Sequence, residues 1–425
     1  MIASTFSTKF RMLPPSAAPL RPADILAGLK AMANPHEALD GLREAVQKKF
    51  GVRHAFFATS GRAGLSAGLR ALRRLNPERD EVLLPAYTSF SVPSAVVNAG
   101  LKVSLYDLQA DTLAPDMESL ERAMGPRTLC VVACHLFGYP VDLTPIETLC
   151  RQHGAALLDD AAQAMGASIG GRMAGTMGDV GLFSLSRGKN MTAVDGGIVL
   201  TDRDDVAEGL VGMLAPESGD LATSLRHVTQ SLILLAMLHP RAYWLPASLP
   251  FLNIGASVFA PEFTVSGLDA FRAGLTGSVL KRLDSLNAGR RNMAASLLAG
   301  LERLDGIRTI RPMPDADPVF LRLPVLPESG AWPGGQVPEK AALGVVRSYP
   351  LALQEITTLK PHLSASEACP VAAMLAKNLL TLPTHAYVRD DDVAALGSCL
   401  KDIFGRADGG AIWFTPRSPH MEKRA

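Results

Sequence analysis

Leu157-Leu-Asp-Asp-Ala-Ala-Gln-Ala-Met-Gly166, followed by Gly178-Asp-Val-Gly-Leu-Phe-Ser-Leu-Ser-Arg-Gly-Lys-Asn190, holds two short apolar runs that each end in polar residues. Residues 156–158 and 180–183 lack the alternation of a half-wet strand. The same texture recurs at 55–58, 82–84, 103–106, 129–134 and 198–200. Between most of these runs lies room for a helix, at 64–75, 117–124 and 145–153. Buried, unalternating strands separated by helices predict a mostly parallel sheet covered on both faces, a doubly wound α/β domain. Asp160 then falls at the carboxyl end of a predicted strand, where ligands bind in open α/β sheets. Lys189 falls in the loop after the next strand, behind Gly188 and ahead of the Gly196-Gly197 pair, whose backbones permit tight turns.

An aspartate and a lysine brought to one crevice, with Ser184 five residues before the lysine, match the needs of pyridoxal 5'-phosphate (PLP). A lysine forms a Schiff base with the cofactor aldehyde, an aspartate pairs with the pyridinium nitrogen, and hydroxyl and amide groups hold the phosphate. Singly, Asp160 reads equally as a helix cap and Lys189 as a surface lysine; together they point to the cofactor. Thr59-Ser-Gly-Arg-Ala63 adds a strand–Ser-Gly–helix junction that aims free N–H groups and the positive helix end at an anion. Plain capping by Ser60 is the competing reading there.

The remaining sequence sets bounds. With 425 residues the chain suits two unequal lobes, and 48% apolar against 20% charged residues allows a large core. A formal net charge of +1 gives no reason to expect nucleic acid. The basic cluster at 70–74 reads as a solvated helix face. Five cysteines without C-x-x-C spacing read as buried thiols of a reducing compartment, and no metal site is expected. The apolar run 232–238 is far too short to span a bilayer, so a cytoplasmic location is expected.

Residues 1–33 are expected to form an N-terminal arm, extended over its first twenty-two residues. Asn34, Pro35 and Glu37 signal the first helix, with Leu39, Leu42, Val46 and Phe50 on one face. The large domain is expected over 34–265, including an atypical apolar, proline-marked stretch at 230–260. A small C-terminal α+β domain follows over 266–405. It opens with one long helix carrying Leu275, Val279, Leu280, Leu283 and Leu286 and closes with a helix over 391–404. Residues 406–425 read as a loose polar tail.

The ordered series Ser60-Gly61, Glu81-Val-Leu-Leu-Pro85, His135-Leu-Phe-Gly138, Asp160-Ala-Ala-Gln163, Phe183-Ser184, Lys189-Asn190 and Gly196-Gly197 resembles the DegT/DnrJ/StrS aminotransferases. The likeness runs through about residues 35–205 and resumes at Lys281–Arg290, Tyr349-Pro-Leu-Ala-Leu-Gln354 and Leu382-Pro-Thr-His-Ala-Tyr387. It implies a fold-type-I PLP-dependent transferase that aminates keto-sugars on nucleotides, with glutamate as donor, working as a homodimer. It also implies roles: Lys189 as Schiff-base lysine and acid/base, Asp160 on the ring nitrogen, and Gln163 near the phenolic oxygen. Ser184, Ser60 and the Gly61–Arg62 backbone fall to the phosphate. With lysine at 189 the chain is unlike the family's dehydratase branch, which has histidine there.

Three departures stand out. Arg62 replaces a common threonine, the usual ring-stacking aromatic aligns with Ser89, leaving Phe90 as its candidate, and the Asn-x-Arg segment by which a neighbouring subunit reaches the phosphate is absent before residue 275. Apolar sequence at 230–260 stands in its place. It is expected to line the acceptor side of the cleft or the dimer seam, with Leu234, Leu238, Tyr243 and Trp244 buried against protein. Two rival readings are an aminotransferase for a lipid-linked or other apolar ketone and a PLP-binding regulator that does not turn over.

Overall fold

A computed structural model describes residues 11–216, 221–249, 258–333, 337–364 and 368–404. The strands expected from the apolar runs all form. They are β1 (His54–Ala58), β2 (Glu81–Pro85), β3 (Lys102–Tyr106), β4 (Thr128–Cys134) and β5 (Ala156–Asp160). A two-residue hairpin of β6 (Ser168–Ile169) and β7 (Arg172–Met173) precedes β8 (Val180–Ser184) and β9 (Gly197–Thr201). Seven of these make one sheet in the order β1-β9-β8-β5-β4-β2-β3. Only β9 runs against its neighbours, β1 and β8; the pairs from β8 to β3 are parallel. Every residue of β4, β8 and β9 is buried, as a sheet covered on both faces requires.

The covering layers include α1 (Pro22–Ala31), α2 (Pro35–Phe50), α3 (Gly61–Leu75) and α4 (Ser91–Asn98). Helix α3 lies very close to the strands, because a Cβ on Gly64 would meet Val199 at 2.9 Å and one on Gly68 would meet Val180 at 3.0 Å. Later come α5 (Leu221–Met237), α6 (Ala270–Leu280) and α7 (Leu283–Leu301). A second, three-stranded antiparallel sheet, β10 (Ile307–Thr309), β12 (Arg322–Pro327) and β13 (Leu380–Pro383), builds its own apolar cluster with the terminal helix α8 (Asp390–Phe404). Strand β11 (Ala316–Asp317) pairs instead with β6, so the later sequence completes a small separate sheet with the β6–β7 hairpin.

Several expectations are corrected. The stretch read as an arm contains α1, which packs closely on α6 and buries Ile25 and Gly28. The single long helix is two, broken at Lys281-Arg282. Asn34 precedes α2 but its amide bonds Glu37 at 3.2 Å and no helix N–H. The arginines at 70–74 are not merely solvated. Arg70 donates to the carbonyl of Asn98 at 2.8 Å, Arg73 to that of Gly100 at 2.8 Å and Arg74 to that of Gly209 at 3.2 Å. They close the carboxyl ends of neighbouring elements, where carbonyls lack helical partners. Cys130, Cys134, Cys150 and Cys369 are free, buried thiols and Cys399 is partly buried. The loose tail expected over 406–425 lies outside the described residues.

Residues 11–21 carry no regular structure, yet they thread through the middle of the fold. The N–H of Met12 donates to Pro240 and that of Leu13 to Ala342, both at 2.9 Å. His385 lies 2.7 Å from the carbonyl of Pro14 through Nε2, while its Nδ1 accepts the N–H of Tyr387 at 3.3 Å. Such a ring is neutral, with its proton on Nε2. Burial, reinforced by Arg290, Arg322 and Arg11, lowers its pKa to about 4, against the Pro14 bond. Protonation therefore favours the unfolded chain, and stability should fall as pH drops from about 6.5 towards 4. The contribution is on the order of 3 kcal/mol. Melting curves across that range should show a shallower acid loss for His385→Gln than for the parent protein.

Candidate functional site

Strands β5 and β8 are parallel neighbours, and Asp160 stands beside Leu182 in their register. Asp160 and Ser184 thus finish adjacent strands at the carboxyl edge of the sheet. Asp160 is 7% exposed. Its Oδ1 accepts the N–H of Ala162 at 3.0 Å, and its Oδ2 takes the thiol of Cys134 at 3.5 Å. Burial raises its pKa above the ordinary carboxylate value, against the Ala162 N–H and the charge of Lys189. Lys189 is half-buried in the loop after β8, and burial lowers its pKa while Asp160 pulls it back up. Each charge is the other's partial remedy for lost water.

Two distant parts of the chain and one bond of its own hold the Lys189 loop. Ser16 Oγ donates to the carbonyl of Gly188 at 2.7 Å. The N–H of Lys189 reaches the carbonyl of Ser186 at 3.3 Å. Arg290, on α7 and only 2% exposed, donates through Nη2 to the carbonyls of Ala17 at 3.1 Å and Lys189 at 3.3 Å. A buried guanidinium therefore joins the arm, α7 and the lysine loop.

The start of α3 and Ser184 bring together groups that suit an anion. Ser60 Oγ caps α3 by accepting the N–H of Ala63 at 3.2 Å, so this hydroxyl serves the helix. A Cβ on Gly61 would sit 3.0 Å from both Cβ and Oγ of Ser184, which only glycine avoids. The N–H groups of Gly61 and Arg62 lie in the first turn, where no helical carbonyl can reach them. Ser184 Oγ, these N–H groups and the positive helix end suit a phosphate. Arg62 stacks 4.7 Å over the ring of Phe263. Asp195 nearby is raised by burial, against the Gly196 N–H and the charges of Arg272, Arg62 and Arg187. This region is thus rich in arginine.

Gln163 is 8% exposed; its Oε1 accepts the N–H of Phe137 at 3.1 Å and its Nε2 donates to Tyr349 Oη at 2.8 Å. The Tyr349 ring meets Tyr87 at 5.4 Å, edge on, and stacks on Phe137 at 6.0 Å. Phe90, by contrast, is a core residue at the start of α4 whose carbonyl accepts Ser94 Oγ at 2.7 Å. The aromatics bordering Gln163 are Tyr349 and Phe137. Sequence reasoning missed Tyr87, although it stands two residues beyond the end of β2, on the ligand-binding edge. It also missed a buried brace behind Asp160. His135 Nε2 lies 2.7 Å from Asp159 Oδ1, His135 Nδ1 accepts the N–H of Val141, and Asp159 Oδ2 accepts the N–H groups of Gly175 and Met177.

The profile of the DegT/DnrJ/EryC1/StrS aminotransferase family matches residues 30–226. The chain is 34% identical over 202 residues to UDP-N-acetyl-3-dehydro-alpha-D-glucosamine 3-aminotransferase of Acidithiobacillus ferrooxidans, covering 46% of this chain and 54% of that one. It is 29% identical to dTDP-3-amino-3,4,6-trideoxy-alpha-D-glucose transaminase of Streptomyces venezuelae over 84% of each. It thus matches the former over about half of that relative's length. Among solved structures, E. coli GDP-4-keto-6-deoxy-D-mannose-3-dehydratase with bound hydrated PLP superposes with a TM-score of 0.72 at 19% identity. That match covers 92% of this chain and all of the other. The fold is that of the fold-type-I PLP-dependent transferases.

The Gly61–Ser184 contact gives a test of the cradle. Gly61→Ala should crowd Ser184 and the adjacent N–H groups, weakening PLP retention about tenfold while far-UV circular dichroism stays unchanged. Dialysis followed by an absorbance titration with PLP measures this directly.

Proposed function

We propose that this protein is a PLP-dependent aminotransferase that passes an amino group from glutamate to a keto-sugar carried on a nucleotide, in two half-reactions. The observation that carries the reading is the convergence of buried Asp160, half-buried Lys189 and the Gly61–Ser184 cradle on one edge of the sheet. The family-profile match over residues 30–226 and the nucleotide-sugar names of the curated relatives support it.

PLP, when bound, supplies an electron sink for the substrate carbon that loses its proton. The chain's own groups do the rest. Asp160, buried and steadied by Ala162, holds the proton of the ring nitrogen in place. Burial lowers the pKa of the Lys189 ammonium, against the pull of Asp160. Lys189 Nζ can take a proton from the donor carbon and return it on the acceptor side. Ser184 Oγ and the N–H groups of Gly61 and Arg62 hold the phosphate. Gln163 orients the phenolic side through its bond to Tyr349.

A homodimer is part of the same proposal, and residues 230–260 are the candidate seam. Leu234, Leu238 and Tyr243 are buried, as expected, but Trp244 is 44% exposed. The indole N–H of Trp244 bonds the carbonyl of Arg241 at 3.0 Å and its ring lies on the surface of the single chain, where a dimer seam would cover it. Leu225, Leu232 and Ile233 also face outward from α5. A surface-lying membrane helix would flank such a face with a row of Lys or Arg, which this one lacks. No helix among the described residues is long and apolar enough to cross a membrane. Of the segment, residues 250–257 lie outside the described residues.

Four measurements test these statements. Borohydride should fix PLP onto Lys189, and peptide mapping that finds the adduct on another lysine would overturn the assignment. Asp160→Asn should slow the half-reaction with glutamate by about a hundredfold or more in single-turnover assays with the fold intact. Leu232→Asp combined with Ile233→Asp should shift sedimentation from dimer to monomer. The parent protein should not float with liposomes; strong flotation would favour an apolar, lipid-linked acceptor.

A further inference from the structure

Thr88, Cys134 and Asp160 sit at the carboxyl ends of β2, β4 and β5, three strands side by side in the large sheet. Cys134 and Asp160 close their strands as register partners, and Thr88 follows β2 closely. All three are buried. Thr88 Oγ1 donates to Cys134 Sγ at 3.5 Å, and Cys134 Sγ donates to Asp160 Oδ2 at 3.5 Å. Among the described residues no other side chain donates to that carboxylate; its second bond comes from the backbone N–H of Ala162. Cys130 and Cys150 differ, since their thiols turn to the backbone carbonyls of Val131 and Ala156.

A hydroxyl and a thiol each carry one hydrogen, so the order of the chain fixes its direction. Thr88 gives its hydrogen to the sulfur, and the thiol's own hydrogen is left for the carboxylate. Burial, joined by the charge of Asp160, raises the pKa of Cys134 well above the ordinary thiol value, so the sulfur keeps its proton and acts as donor. Burial alone would push Asp160 towards its neutral form, which cannot hold the proton of a ring nitrogen. We propose that Cys134, turned by Thr88, is a positioning residue that keeps Asp160 ionised and aimed at the ring nitrogen of the cofactor. The inference rests on the aminotransferase reading and adds what sets the strength of its carboxylate. A thiol is a weak donor, so it steadies the charge without draining the basicity that holds the ring proton.

The first test is the infrared S–H stretch of the PLP-loaded protein. The Cys134 band should lie below that of a free thiol and move back towards it in Asp160→Asn and in Thr88→Val. The second is the PLP dissociation constant, followed by dialysis and absorbance across the acid range. The thiol favours the ionised carboxylate, so its loss raises the pKa of Asp160 and the acid loss of PLP begins at higher pH. Cys134→Ala should weaken PLP binding about fivefold and move that limb up by about 0.7 of a pH unit, the same factor expressed as a pKa. Lys189, His135 and the phenols of Tyr106 and Tyr349 also face Asp160, and all four are unaltered in the variant. Thr88→Val should give about half the displacement, and Thr88→Ser, which keeps the hydroxyl, should restore the parent profile. Where Cys134→Ala does not fold, Cys134→Val, which fills the space without a donor, takes its place. A free-thiol frequency in the parent protein, an unmoved acid limb in a folded Cys134 variant, or Thr88→Ser behaving as Thr88→Val would overturn the proposal. None of these readouts needs turnover. A protein that shows the shifts but never transaminates would sink the aminotransferase reading and leave the role of Cys134 standing.

Discussion

The carboxylate of Asp160 is almost out of water, and the cation that offsets it comes from a loop with no regular structure. Everything around the cleft answers the problem of holding those two charges together. Strand β5 fixes Asp160 from below, through the parallel ladders to β4 and β8. Behind it, Asp159 and His135 form a solvent-free brace with every facing polar group engaged or opposed. On the lysine side, Ser16 and Arg290 grip the backbone on either flank of the loop. A misplacement of the amine by about an ångström would cost much of its chemical use.

Two buried arginines show how differently the same side chain can be spent. Arg290 points its nitrogens at backbone carbonyls and an asparagine, so it acts as a rivet between segments. Arg322 has fewer protein partners and faces phenols. Both have pKa values lowered to about 10 by burial, and each keeps a solvent-free Nε without a hydrogen-bond partner.

The apolar stretch near residue 240 belongs to the same mechanics. Its backbone takes the N–H of Met12, and the ring of His239 packs against Tyr387. The arm, this stretch and the second sheet therefore meet above the cleft. Helix α5 turns Leu234 and Leu238 inward and Leu232 and Ile233 outward, a division that period-3.6 geometry imposes on any apolar run of that length.

The sequence by itself determined the strands, because a strand buried on both faces must be apolar at consecutive positions, and that pattern needs no knowledge of its neighbours. It also placed Asp160, Lys189, Ser184 and Gly61 near one another, since loops at the carboxyl edge of a parallel sheet converge whatever their length. Tertiary structure alone decided the rest. Residues 11–21 look like an arm because their partners, Ala342, His385 and Gly188, are hundreds of residues away and leave no local period. The break at Lys281-Arg282 is invisible in a stripe of leucines that continues across it. Whether an arginine is a rivet or faces phenols depends on which groups surround it, and that is a property of the packed fold.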